Sequence, residues 1–244
     1  MAIYKNTPPI VTNGLIFYLD ASNARSYVSG STIAYSLVPS GSFPRAISCS
    51  LSGGVGYNTS NLGSFVFDGT NDQLLLENTP AQPTGITLGS STTPWMVNVW
   101  LKTNVVGGAG ISNFPVLTNR SGGPVYSSLG IGPGGVLKYA HYSGSWLVES
   151  GSRSINDNQW HMATWVNKDN NTLDMYVDGT FDRTISSSIV GGGNINPVDV
   201  IGNSWANSYL NASIASVTIY KRSSLFTTTE VLQNYNATKG RFGF

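Results

Sequence analysis

The chain has 244 residues, a formal net charge of +1 and only 10% charged residues, well below the quarter usual in soluble domains. Near-neutrality without a basic run leaves no electrostatic footprint for nucleic acid, and no run of ~18 apolar residues exists to span a membrane. Ser, Thr and Asn number 76 and Gly and Pro 39, so hydroxyls and amides solvate the surface, while 40% hydrophobic residues suffice for a core and argue against disorder.

Residues 1–13, with Pro8-Pro9, predict an extended arm that packs along the domain or reaches another subunit. The stretch after Met1 lacks the apolar core of a signal peptide. Gly14–Asp20 (GLIFYLD) predicts a strand apolar on both faces. Lone Cys49 excludes an internal disulfide framework and a cysteine metal cluster. Phe65–Asp68 and Leu74–Leu76 flank the turn Gly69-Thr70-Asn71-Asp72. Trp95–Lys102 alternates, with Trp95, Val97, Val99 and Leu101 on one face and Met96, Asn98, Trp100 and Lys102 on the other. Val116–Thr118, Ser127–Ile131, Gly135–Tyr142 and Ser145–Glu149 are further strands. Trp160–Asn167 and Thr172–Val177 follow, the latter ending in Asp178-Gly179, a type I′ hairpin signal because both central residues need positive φ. Val198–Gly202 and Ser213–Tyr220 complete the set.

About a dozen short strands, separated by Gly, Pro, Asn and Ser, predict an all-β sandwich or jelly roll. Helical periodicity enters only at the end. Thr227-Thr228-Thr229-Glu230 fits a capping box, Val231, Leu232 and Tyr235 give an apolar stripe, and Gly240 is the stop. The spacing predicts one helix over Thr228–Lys239, lying on the sandwich or leading to a partner. The expected organisation is an arm (1–13), a sandwich (14–226), and a helix and tail (227–244) within the same domain.

Six segments, in order, resemble laminin-G-like, concanavalin A-like domains. They are Gly14–Asn23, Ser64–Asp72 (SFVFDGTND), Trp95–Lys102, Gln159–Ala163 (QWHMA), Leu173–Phe181 and Ile214–Arg222 (IASVTIYKR) with Thr229-Glu230-Val231. The likeness runs from about residue 14 to 240. It implies a concanavalin A-like β-sandwich. The ending Glu230–Phe242 is further similar to stand-alone laminin-G-like proteins of tailed bacteriophages. That resemblance implies a virion structural protein: a capsid decoration, neck, tail or fibre component at the surface of the particle, made in the host cytoplasm. Its expected partners are other virion proteins, further copies of itself as a homo-oligomer, and host surface polysaccharide.

Catalytic chemistry is not expected. Glycoside hydrolysis needs two carboxylates about 5–9.5 Å apart, yet Glu77, Glu149 and Glu230 have no acid within four positions. Asp174 and Asp178 are four apart, but one lies on an outward strand face and the other in a turn, so both read as structural or solvated. The acid-x-acid-x-Glu strand of concanavalin A-like glucanases is absent. His141 and His161 are too few for zinc, which takes three or four ligands.

Calcium is the candidate metal, since hard cations take carboxylate and amide oxygens. Asp68, Asn71 and Asp72 share one tight turn, although Asp68 and Asn71 also suit hydrogen bonds to the turn itself. Calcium-binding relatives carry an acidic "IDEV" where this chain has Ile214-Ala215-Ser216-Val217. No cofactor is required. Glycan binding needs aromatic faces ringed by amides and hydroxyls. Tyr142 and Trp146 flank the turn Ser143-Gly144-Ser145, and Trp205 and Tyr209 lie among Asn and Ser. These four are the candidate sugar contacts. The alternatives to the virion reading are a free lectin module and a polysaccharide-degrading enzyme of the same fold.

Overall fold

Period-two alternation, broken every few residues by turn formers, folds this chain into short antiparallel strands. A computed structural model describes residues 8–39, 47–77, 86, 88, 92–107, 114–119, 125–168, 171–187, 198–204 and 208–244. In chain order the strands are β1 (Leu15–Asp20), β2 (Ile33–Tyr35), β3 (Ser48–Ser52), β4 (Gly56–Asn58), β5 (Ser64–Asp68), β6 (Gln73–Glu77), β7 (Trp95–Lys102) and β8 (Pro115–Thr118). Then come β9 (Val125–Ile131), β10 (Val136–Ser143), β11 (Trp146–Ser154), β12 (Trp160–Asn167), β13 (Thr172–Val177), β14 (Thr180–Ser186), β15 (Val200–Ile201) and β16 (Asn211–Lys221). One α-helix follows, α1 (Thr228–Thr238).

The strands form two eight-stranded antiparallel sheets. Sheet one runs β14-β13-β12-β7-β16-β5-β4, with β1 also paired to β16. Sheet two runs β11-β10-β9-β8-β15-β6-β3-β2. β16 is long enough to pair with β5 through Asn211–Ile214 and with β1 through Ser216–Tyr220. The fold is thus the expected all-β sandwich with a short C-terminal helix.

Alternation decides what each face touches. Trp95, Val97, Val99 and Leu101 of β7 point between the sheets and meet Leu74, Leu129, Tyr139, Trp165 and Ile219 in one buried cluster. Trp165 also spans the sandwich, its Nε1 donating to the Lys138 carbonyl of the opposite sheet at 3.2 Å. The other face of β7 is also covered. Met96 joins Val11, Val166, Tyr176, Tyr220, Phe226 and Val231 in a second cluster. Trp100 joins Trp160, Met162 and Ala215, with Tyr235 and Phe242 packed on them. The helix therefore lies on the outer face of sheet one. The arm follows it: Val11 N–H donates to Asn234 Oδ1 at 2.8 Å, and Gln233 donates to the Pro9 carbonyl.

Several details differ from the sequence expectation. β2, β3, β4 and β14 carry too little apolar alternation to stand out. β2 and β4 are three-residue edge strands, β3 reads SCSLS, and β14 is mostly exposed. β11 runs past Glu149 to Ser154 through a register shift opposite Val136–Lys138. The capping box forms as expected, with Glu230 N–H donating to Thr227 Oγ1 and Thr227 N–H to Glu230 Oε2. Gly240 does not stop the helix. The chain continues as a 3-10 turn, Lys239–Phe242, and ends at Gly243, whose φ of 88° supplies the left-handed cap. Of its two expected roles Asp174 takes the structural one; it is buried, with Lys168 Nζ at 2.5 Å and Thr184 Oγ1 at 2.6 Å.

Candidate functional site

Among the described candidate residues, the tip of the β9-β10-β11 meander presents the most open aromatic surface. Antiparallel register sets Tyr142 opposite Tyr126 on one side and Trp146 on the other. Leu137 and Tyr139 of β10 point into the core, so Lys138, Ala140 and Tyr142 share the outward face. The rings meet there. Tyr142 and Trp146 lie 4.9 Å apart at 46°, and Tyr126 and Trp146 5.7 Å apart at 66°. Trp146 is 42% exposed while Tyr126 is buried, so the tyrosines buttress an indole that faces solvent. Gly144, at φ 84°, turns the chain between them.

Burial raises the pKa of Tyr126, opposed by its contacts to the Ser128 and Ser204 side chains. Ser204 belongs to the loop that carries Tyr209, where Asn203 and Tyr209 form a β-bridge. Tyr126, which no local pattern singles out, thus links the Tyr142–Trp146 pair to Ser204. Tyr209 is half-buried. Trp205 lies outside the described residues. Lys138, on the same outward face, is fully buried, and burial alone lowers its pKa to about 8.

The predicted calcium turn has a different character. Asp72 Oδ2 accepts from Asp68 N–H at 3.0 Å, and Asp68 Oδ1 accepts from Thr70 N–H at 2.7 Å. Asn71 is exposed, and Gly53 rests so closely on its carbonyl that a Cβ there would lie 2.0 Å away. Asp72 is buried with Oδ1 unpartnered, and burial raises its pKa. Calcium takes six to eight oxygens. Among the described residues no group of three or more His, Cys, Asp or Glu side chains converges.

Several other acids and both histidines are paired within the fold. Glu149 pairs with Arg183 and Glu230 with Arg222. His161 places Nδ1 2.8 Å from Asp178 and Nε2 3.0 Å from Asp157. His141 Nδ1 meets Ser127 Oγ at 2.8 Å, both buried. Asp182 accepts from Ser152 N–H, Ser152 Oγ and Arg153 N–H, tying the edge of sheet one to the edge of sheet two.

Residues 68–231 match the laminin-G type 3 model, described as the concanavalin A-like lectin/glucanases superfamily. No curated protein sequence matches the chain significantly. Similar solved structures include the binding domain of Paraclostridial Mosquitocidal Protein 1, at TM-score 0.64 and 15% identity over 92% of this chain and 52% of that one. The binding domain of botulinum neurotoxin DC in complex with rat synaptotagmin II gives 0.64 and 14% over 92% and 52%. A botulinum neurotoxin type C structure, concerned with cell entry through two ganglioside molecules, gives 0.63 and 16% over 92% and 51%. The chain spans about half the length of these structures, and at such identity the likeness is one of fold. Matched through most of its sandwich, the chain belongs to the concanavalin A-like lectin/glucanases superfamily.

Proposed function

We propose that this chain is a non-catalytic glycan-binding module that acts as a structural and adhesive component of a tailed-phage particle. The observation that carries the binding part is the half-exposed Trp146 ring held by Tyr142 and Tyr126. A pyranose stacks its C–H face on such a ring, and nearby amides and hydroxyls orient it. Rigid backing limits the side-chain entropy lost on binding. The fold supports the reading, since the similar structures are binding domains. The acids support non-catalysis, because Asp20, Glu149, Asp174 and Glu230 are engaged in ion pairs and Asp68 and Asp178 in turns.

The particle setting rests on the resemblance of the C-terminal segment, and with it the expected partners: host surface polysaccharide, other virion proteins and further copies of the chain. Titrating a panel of bacterial surface polysaccharides against intrinsic tryptophan fluorescence tests the binding part. Trp146→Ala should weaken the best ligand tenfold or more with an unchanged melting temperature. Equal affinity for both proteins would overturn the platform. Mass spectrometry of purified particles tests the setting: a fixed ratio to the major capsid protein is expected, and absence of the chain from particles would leave a free lectin.

A further inference from the structure

Asn13-Gly14 joins the N-terminal arm to β1, and it is the one Asn-Gly pair in the 244 residues. Asparagine is a chemically labile residue. Its carboxamide carbon is an electrophile, and the backbone nitrogen of the next residue can close a five-membered ring on it. A side chain on that next residue crowds the approach, and glycine has none.

At this junction both reactants are free. Asn13 is exposed. Among the described residues neither its carboxamide nor the Gly14 N–H has a hydrogen-bond partner. Asn23 and Asn58 differ: Asn23 Oδ1 accepts from Arg25 N–H at 3.0 Å and Asn58 Oδ1 from Ser60 N–H at 2.8 Å, which ties each side chain to its own backbone.

The turn is fixed at its ends and loose in its middle. Leu15 N–H donates to the Thr12 carbonyl at 3.1 Å, and Lys221 N–H donates to the Gly14 carbonyl at 2.7 Å. Gly14 has φ 82°, as the third residue of a type II turn requires. Between these anchors the peptide plane from Asn13 to Gly14 is held by one long contact, from Arg222 Nη1 to the Asn13 carbonyl at 3.5 Å. Rotation of that plane carries the Gly14 nitrogen toward Asn13 Cγ, and glycine accepts φ of either sign as it turns. The fold also demands this glycine, because a Cβ on it would lie 2.9 Å from the Lys221 carbonyl oxygen.

We propose that Asn13-Gly14 is a self-modifying junction, whose conversion to isoaspartate frees the arm from α1. The Gly14 nitrogen gives up its proton to solvent and bonds to Asn13 Cγ. The Cγ–Nδ2 bond breaks, and Nδ2 takes a proton from solvent and leaves as ammonia. One water then opens the succinimide. Addition at Cγ gives aspartate. Addition at the main-chain carbonyl gives isoaspartate, whose backbone runs through the former side chain and is one methylene longer. Either product cancels the formal net charge of +1. In isoaspartate the free carboxylate stands where the Asn13 carbonyl was, beside the Arg222 guanidinium that already holds Glu230 at 2.7 and 2.8 Å.

The added methylene acts on the arm. Val11 N–H reaches Asn234 Oδ1 and Gln233 reaches the Pro9 carbonyl, both at 2.8 Å. Those bonds depend on the length of chain back to Gly14, which Lys221 pins. A longer link opens the Thr12–Leu15 turn and puts Val11 out of register with Asn234. Neither step involves the Trp146 platform, so sugar binding and the junction stand or fall separately.

The test incubates the full chain at pH 8.5 and 37 °C and follows every asparagine by peptide mass spectrometry, with enzymatic methylation to count isoaspartate. Asn13 should convert at least tenfold faster than Asn23 or Asn58 and yield isoaspartate together with aspartate. In the isoaspartate fraction the Val11 amide should exchange with deuterium at least tenfold faster than in fresh protein. Asn13→Gln, which would have to close a slower six-membered ring, should keep Val11 protected through the same incubation. Conversion of Asn13 no faster than that of Asn58 overturns the junction. Conversion that leaves Val11 protected, or equal loss of protection in Asn13→Gln, overturns the release of the arm.

Discussion

His161 holds a carboxylate at each ring nitrogen, Asp178 on Nδ1 and Asp157 on Nε2. Its hydrogen bond to Asp178 raises its pKa above 6.5, against the opposing pull of burial. A base whose folded pKa is raised stabilises the fold fully below its unfolded pKa, and that gain fades as pH rises through the folded value. His161→Gln should therefore lower Tm most at about pH 5.5, with the gap to wild type narrowing by about pH 9. A gap independent of pH in thermal melts would mean that the imidazolium contributes nothing. The neighbouring turn shows what single residues reveal in advance. Asp178-Gly179 announces positive φ at both positions, and the backbone has 54° and 73° there. That Asp178 also grips His161 and the Met162 amide is a matter of tertiary placement, which no local pattern encodes. Tyr126 escaped notice for the same reason, since it acts through residues distant in sequence.

Among elements, α1 was the most legible and the most closely specified. The capping box, the Glu230–Arg222 pair at 2.7 Å and the burial of Val231 all act on its first turn. Thr227→Ala should cost about 1 kcal/mol, or about 2–4 °C in Tm for a domain of this size. Calorimetry showing no change would mean that packing alone holds the helix. Strands with one apolar face could be read from alternation. β2, β3 and β4 could not, because their stability comes from pairing with neighbours that a single segment does not display. The C-terminal 3-10 turn was hidden for a different reason. Gly240 looks like a stop, but Phe242 has a socket between Trp100 and Trp160, and filling it carries the chain on to Gly243.

At the scale of the molecule, the two-faced burial of sheet one separates this sandwich from one with a bare outer surface. β7 is buried along its length except at Lys102, because the sheets meet on one side of it and the C-terminal segment covers the other. The sequence displayed Met96 and Trp100 on the second face of β7 but not which element would cover them. Metal dependence also belongs to this scale. With Asp68 and Asp72 already bonded to their own turn, added calcium and a chelator are each expected to leave Tm unchanged. A calcium-dependent rise would show instead that the buried Asp72 Oδ1 completes a cation shell.

The tie between Asp182 and the amides of Ser152 and Arg153 has one more consequence. It needs Gly151, where a Cβ would fall 2.1 Å from the Asp182 carboxylate. Arg183 adds a bridge to Glu149 and the Ser150 carbonyl. Together they stitch β14 and β11 into a closed seam, so the flank where both sheets end offers little unpaired backbone to an incoming strand. Open strand edges invite chain-to-chain pairing. On this protein the invitation is reduced along that flank, and the described end strands β2 and β4 are only three residues long. Copies crowded side by side then meet one less open edge along which strands could pair.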